Sequence, residues 1–252
     1  RGLSAWWNRA LPIASIAGGA AVAAALALAF YVPSLSGTDP STEQLVVEAP
    51  QSEDVQEQLA DGSLMHLARS SRATFSQNQT ERRVTLAAGE AVFDVATDPQ
   101  RPFIVAAGDA KIRVVGTSFN VSRWDQGVRV TVFEGKVEFG DGNGTNSVDL
   151  VGGQGALLLA GDTLTTYAFN PDEYVDWRSG WVDATDMTLS EIIAKLDRYS
   201  NTTILLKNPD LGQSLVSGRF KLSQSSATLE TLALLYELNI EHQSGRVVLS
   251  QD

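Results

Sequence analysis

The chain has 252 residues, a net charge of −11, no cysteine and two histidines. An acidic balance argues against electrostatic binding to nucleic acid or anionic lipid, both of which need Lys and Arg. The missing cysteines exclude disulfides, thiolate chemistry and a Cys-based zinc site, and His66 and His242 are too far apart in sequence to form a histidine-rich metal cluster.

Charge is distributed unevenly. Arg1 and Arg9 are the only charged residues before Val32, and residues 10–32 carry none. A stretch of about 20 apolar residues suffices to cross a bilayer. With Arg on one flank and Asp39 and Glu43 on the other, the positive-inside rule places the N-terminus in the cytoplasm. Trp6, Trp7 and Tyr31 flank the run as an interfacial aromatic belt does. The competing reading is a cleaved signal peptide with Ala27-Leu28-Ala29 at its cleavage site, but such apolar cores run to about 7–15 residues. The expected organisation is therefore a cytoplasmic flank (1–9), a transmembrane helix (10–32) and a Pro-, Ser- and Gly-rich linker (33–44). A start on Arg1 rather than Met implies sequence before it.

From Leu45 to Phe169 the hydrophobic period is two, with turns every eight to twelve residues. Asp61-Gly62 reads as a tight turn between strands. The segments 83–87, 90–95, 103–105, 112–115, 118–121 and 128–132 alternate in turn, and 136–139 is expected to pair with the strand before it across Glu134-Gly135. Residues 140–146 read as a loop tip. They are not a phosphate loop, because no strand-to-helix switch follows. The segment departs from a calcium loop too, since Gly152 stands where the twelfth-position Glu would be. No long helical period interrupts this region, so 45–169 is expected to be all-β, many short antiparallel strands in a sandwich or a solenoid-like stack.

The pattern changes near Asn170. Residues 171–177 read as a short helical part of a linker (170–180), with Asn170 as its cap. Thr188 followed by Glu191 forms a capping box, and Leu189, Ile192, Ile193, Leu196 and Tyr199 recur at helical spacing. A strand at 203–206, an alternating strand at 215–222, a helix at about 226–237 and a hairpin over 239–249 complete the order β-α-β, β-α-β-β. Residues 181–252 are thus expected to form a small α+β domain.

Five pieces then occur in order: Leu59-Ala60-Asp61-Gly62-Ser63; Arg83-Val84-Thr85-Leu86 leading into Gly89-Glu90-Ala91-Val92-Phe93-Asp94-Val95; Arg101-Pro102-Phe103-Ile104-Val105; Val115-Gly116-Thr117-Ser118-Phe119-Asn120-Val121; and Val130-Thr131-Val132-Phe133-Glu134-Gly135-Lys136-Val137. Downstream of one membrane span, they resemble the FecR family of transmembrane anti-sigma regulators. The C-terminal repeat, with Leu196-Asp197-Arg198-Tyr199, resembles the secretin and TonB short N-terminal domain. The resemblance implies a single-pass protein of the bacterial inner membrane with its C-terminal domains in the periplasm. Its partners would be the periplasmic signalling domain of an outer-membrane TonB-dependent transducer, often for siderophore or haem uptake, and an extracytoplasmic-function (ECF) sigma factor. The sigma factor would be bound by a cytoplasmic domain that is not in this chain. Periplasmic or intramembrane proteases would process such a regulator.

The resemblance also implies a candidate self-cleavage junction at Gly116-Thr117. There the Thr hydroxyl would attack the preceding carbonyl in an N-to-O acyl shift, activated by Asp94, Glu90, Asp125 or a water. The competing reading is a β-bulge at Gly116 with the Thr117 hydroxyl bonded to backbone. The acidic groups Asp94/Asp98, Asp172/Glu173/Asp176 and Asp183/Asp186 read as solvated faces rather than acid–base pairs. No cofactor or metal is expected. Trp177 and Trp181 bracket the domain junction as packing residues or as partner anchors, whereas Trp124 reads as core.

The reading that follows is a signalling module that docks a small α+β domain on its C-terminal module. The strand 216–222 would add to a partner sheet, with Val216, Gly218, Phe220, Leu222 and Trp181 as the binding residues. The alternative is a membrane-anchored periplasmic protein that binds glycan or peptidoglycan on its β domain.

Overall fold

The computed structural model describes residues 44–160 and 163–251. The expected flank, membrane span and nearly all of the following linker lie outside the described residues. Among those described, no helix is long and apolar enough to cross a membrane.

The alternating segments of the first half form β1 (Gln44–Glu48), β2 (Val55–Gln58), β3 (Leu64–Leu67), β4 (Arg72–Gln77), β5 (Arg82–Asp94), β6 (Phe103–Ala107), β7 (Ala110–Val114), β8 (Ser118–Trp124), β9 (Gly127–Glu134), β10 (Lys136–Asp141), β11 (Ser147–Val151), β12 (Gln154–Leu159) and β13 (Thr163–Ala168). They pair into two sheets that share β5. One runs β1-β4-β5-β6-β7-β10-β11, and the other runs β2-β3-β5-β8-β9-β12-β13. Residues 82–88 of β5 belong to the first sheet and 89–94 to the second. The inward residues of both sheets merge in one core, in which Phe93 stacks on Phe119 at 5.3 Å and meets Phe103 of the opposite sheet at 5.8 Å. Arg82 is fully buried at one margin of this core. Its guanidinium donates to Asp61 at 2.9 Å and to the carbonyls of Ala96 and Arg101.

The transfer of β5 between sheets depends on Gly89. Its φ is +89°, and a Cβ there would lie 1.9 Å from the Ser71 hydroxyl oxygen. That hydroxyl accepts the Glu90 N–H at 3.0 Å, so the bend and the position of Glu90 are set together. A second transfer corrects one expectation from sequence. β10 does not pair with β9 across Glu134-Gly135; it pairs with β7 and β11, while β9 pairs with β8 and β12. Gly135, at φ +90°, turns the chain from one sheet to the other instead of closing a hairpin.

The second half contains β14 (Trp181–Asp183), β15 (Met187–Thr188), α1 (Leu189–Arg198), β16 (Thr203–Leu206), β17 (Leu215–Val216), β18 (Arg219–Lys221), α2 (Ser225–Leu235), β19 (Asn239–Gln243) and β20 (Arg246–Ser250). The turn preceding it has Asn170 accepting the Asp172 N–H, but the helical turn falls at Trp177–Ser179 with Asp176 as its cap, later than expected. Thr188 caps α1 by accepting the Glu191 N–H, and Leu189, Ile192, Ile193 and Leu196 pack beneath it. β16, β20 and β19 form a three-stranded sheet in which β16 and β20 run parallel.

The single strand expected over 215–222 is two short ones. β17 pairs with β15 and β18 with β14, separated at Gly218, where φ is +143°. Leu222 leaves the strand and begins the turn into α2.

Replacing Gly89 by Ala is expected to cost at least about 1–3 kcal/mol from the positive φ alone, before the overlap with Ser71 is counted. Urea denaturation measures it. An unchanged midpoint would show that the bend in β5 does not require glycine.

Candidate functional site: the charged seam between the two domains

Alternation in a strand sends every second residue to the far face of its sheet. On the second sheet the outward residues include Glu90 and Val92 from β5, Asn120 and Ser122 from β8, and Arg129 and Thr131 from β9. All six are buried: Thr131 bonds the Tyr167 hydroxyl of β13, and the other five meet Trp177, helix α1 or the apolar core of the C-terminal domain. Val92 and Ala68 join the apolar core of that domain along with Trp177 and Leu196.

Helix α1 answers this face with a charged stripe at helical spacing: Glu191, Lys195 and Arg198. The Lys195 ammonium lies 2.6 Å from each oxygen of Glu90, and Arg198 donates to the same carboxylate. Asn120 donates its amide to Glu90 at 2.9 Å and accepts the Trp177 indole N–H at 3.1 Å. Three side chains are thus tied to one carboxylate. A second pair stands alongside with its polarity reversed: Arg129 donates to Glu191 at 2.8 and 3.0 Å and to the carbonyl of Asp186. The Arg129 guanidinium also lies over the Tyr167 ring. At the margin, Gln51 donates to the Ser200 carbonyl and Arg69 lies over Tyr199.

Burial works to raise the Glu90 carboxyl, but Lys195 and Arg198 outweigh it and hold the group below the usual carboxylate range. Burial depresses the Lys195 ammonium more than Glu90 restores it. Arg129 is raised by Glu191 and Tyr167 against its own burial. Burial also pushes up the hydroxyls of Tyr167, Tyr174 and Tyr199. Among the described residues no group of three or more His, Asp or Glu has the arrangement to hold a metal ion.

The residues anticipated for chemistry are placed differently. Of the three carboxylates considered beside Gly116-Thr117, only Asp94 shares its groove, and Asp94 accepts the Ser118 hydroxyl at 2.5 Å. Glu90 belongs to the seam, and Asp125 lies in the β8–β9 turn. The Thr117 hydroxyl donates to the Lys136 carbonyl at 2.9 Å. A Cβ on Gly116 would lie 2.4 Å from the Thr97 hydroxyl oxygen, so close packing against Thr97 accounts for glycine there.

The residues anticipated for partner binding divide sharply. Val216 and Leu222 are core, and Phe220 packs against that core half-buried, so their side chains are not offered to a partner. The alternation at 216, 218, 220 and 222 spans two strands broken at Gly218, and its apolar members turn toward the domain's core. Gly218 and Trp181 are exposed, with the Lys221 ammonium 5.7 Å from the Trp181 ring. Trp177 is buried in the seam, and Trp124 is half-buried beside the β8–β9 turn. Sequence reasoning missed Asn120, Arg129, Lys195 and Arg198. The available signal was the i, i+4, i+7 charge stripe of α1 beside its apolar face.

Fold and seam together define a β-sandwich docked to a small α+β module through buried charge. The family model described as FecR protein matches residues 46–138, and that described as FecR, C-terminal matches residues 184–249. The chain belongs to the FecR family. Two crystal structures of a candidate anti-sigma factor from Parabacteroides distasonis are similar to it, with TM-scores of 0.72 and 0.71 at 23% identity. They cover 83% and 82% of this chain and 100% and 99% of that one, a likeness that establishes the fold. No curated protein sequence matches the chain.

Replacing Glu90 by Gln leaves Lys195 and Arg198 without their countercharge and is expected to cost about 3–5 kcal/mol. The triple replacement Glu90→Leu, Lys195→Met, Arg198→Leu is expected to cost far less, because buried ion pairs exchanged for apolar groups of similar volume are often neutral. Chemical denaturation of both variants checks the contrast; equal losses would mean that packing rather than charge joins the domains. Because the folded-state value of Glu90 is depressed, its contribution is full above the ordinary glutamate value of about 4.3 and is lost as pH falls through the lower folded value. Acid titration of stability is therefore expected to be shallower below pH ~4.3 in Glu90→Gln than in the wild type.

Proposed function

We propose that the chain is a signal relay of the anti-sigma type, anchored in the bacterial inner membrane by one span with its N-terminus in the cytoplasm. Both described domains then stand in the periplasm. Their input is the signalling domain of a TonB-dependent outer-membrane transducer, and their output reaches an ECF sigma factor through a cytoplasmic domain preceding the span. Siderophore or iron uptake is the process served, and periplasmic or intramembrane proteases act on the chain in transmitting the signal.

The observation that carries this reading is that both described domains match parts of one regulator family in the same order along the chain. The charge asymmetry around residues 10–32 supports the orientation. The seam supports relay rather than simple tethering: a load on the C-terminal domain is passed to the β-sandwich through buried contacts on β5, β8 and β9.

Calorimetric titration of the chain in detergent with each transducer signalling domain of the same genome is expected to find one saturable partner. Binding by none of them overturns the reading. The relay requires no catalysis by this chain, consistent with a Thr117 hydroxyl committed to a backbone carbonyl. Intact-mass spectrometry of the purified chain is therefore expected to return one species; two fragments meeting between Gly116 and Thr117 would assign a self-cleavage step.

A further inference from the structure

Among the described residues β16 is an edge strand: it pairs with β20 on one side and with no strand on the other. Thr203 and Lys207 donate their N–H groups to Gly245 and Leu249 across the parallel ladder. By alternation, the N–H and C=O groups of Ile204 and Leu206 face the open side. The Ile204 N–H is taken by Asp197 at 2.7 Å, which leaves the Leu206 N–H and two carbonyls on that edge. The other edge of this sheet, β19, carries Glu241 and His242, the kind of polar side chains that blunt an edge. β16 reads Thr-Ile-Leu-Leu with no charge, and Leu205 stands 41% exposed.

A groove runs beside this edge. Its walls include Ile193 and Ala194 of α1, Leu205 and Leu206 of β16, and Trp124 of the β-sandwich, with Arg198 among its lining. Among the described residues, three buried side-chain polar atoms have no hydrogen-bond partner, and two of them are Trp124 Nε1 and Arg198 Nε. Both are donors without acceptor capacity, and leaving a buried donor unpaired costs about 1–3 kcal/mol. Those two atoms are closed to solvent, so the occupant is set by the open edge and the lining: the Leu206 N–H and the two carbonyls call for backbone acceptors and donors, and the groove for apolar side chains on alternate positions. An extended peptide has that chemistry.

We infer that the groove along β16 receives an extended segment of a partner protein as an added strand, bonded to the Leu206 N–H and to the Ile204 and Leu206 carbonyls. One apolar side chain of that segment enters between Trp124 and Ile193. This deepens the relay reading, on which it rests only for the identity of the partner. It also moves the strand-addition site from residues 216–222, of which Val216 and Leu222 are core, to a different sheet of the same domain.

The test is selection of a phage library of random decapeptides on the intact chain. Ala194→Arg fills the groove from a half-buried helix position outside the seam, and Leu206→Pro removes an outward N–H without removing a ladder bond. Enriched peptides are expected to alternate apolar residues. They are expected to lose binding to Ala194→Arg and to bind Leu206→Pro about threefold to tenfold more weakly, the measure of one hydrogen bond. Binding to Leu234→Ser, on the exposed face of α2, is expected to be unchanged. Bound peptide is also expected to slow hydrogen exchange at the Leu206 amide, a readout that needs no variant. No enrichment, equal binding to Ala194→Arg, unchanged exchange at Leu206, or occupation of the groove by peptidoglycan fragments in place of peptides overturns the inference. Selection uses no transducer, so its failure and a failed titration with signalling domains are separate results.

Discussion

A carboxylate removed from water must be paired and hydrogen-bonded, and the position of Glu90 organises the seam between the two domains. Gly89 bends β5 so that Glu90 faces outward from the second sheet, and Ser71 fixes that bend by taking the Glu90 N–H. Once there, the side chain needs Lys195 and Arg198 from α1 and Asn120 from β8, and Asn120 in turn holds the Trp177 indole. Apart from the Asn120–Glu90 bond, the partners come from the other domain. The sandwich alone would leave a carboxylate and Arg129 uncovered on a strand face, and the C-terminal domain alone would leave the stripe of α1 facing water.

Charge of this kind contributes more to register than to stability. Ion pairs of mixed polarity tolerate few arrangements, whereas an apolar seam tolerates sliding. Here the sandwich supplies one anion and one cation, Glu90 and Arg129. Helix α1 supplies the complement in the opposite order, Glu191 against Arg129 and Lys195 with Arg198 against Glu90. A one-turn slip of the helix would bring cation to cation at Arg129. Val92, Ala68 and Trp177 exclude water around these pairs and provide the apolar part of the contact.

The same alternation made the sandwich legible in sequence and hid the seam. A period of two says which residues share a face, and in the strands 90–94, 119–121 and 128–132 it correctly separates Phe93, Phe119, Val121, Val130 and Val132 from their neighbours. It does not say what lies on the other face, so the burial of Asn120, Ser122, Arg129 and Thr131 is not legible from it. Of the expected binding set, Val216 and Leu222 are buried for the complementary reason, that an apolar alternation identifies what the domain keeps for its own core, while Gly218 and Trp181 are exposed. Glu134-Gly135 failed because a positive-φ glycine serves a crossing between sheets as well as a hairpin, and only the partners of β10 distinguish the two. The helices were readable from the Thr188 cap and the spacing of Leu189, Ile192 and Leu196. Glu191 donates only its backbone N–H to that cap, since its carboxylate is engaged by Arg129.

Arg198 ties the seam to the groove on its far side. One edge of its guanidinium donates to Glu90 while Nε lacks a partner, and the residue is part of the lining along β16. Trp124 and the β8–β9 turn belong to the sandwich, so the groove keeps its width only while the two domains hold their register. Helix α1 carries Lys195 and Arg198 into the seam and Ile193 and Ala194 into the groove, so any shift of α1 against β5 changes both. Two sites that share a side chain and a packed helix are coupled, and the coupling acts equally in both directions. If the groove takes the inferred segment, whatever its occupant does to the hold of the C-terminal domain on the sandwich, a change in that hold does in return to the occupant's affinity.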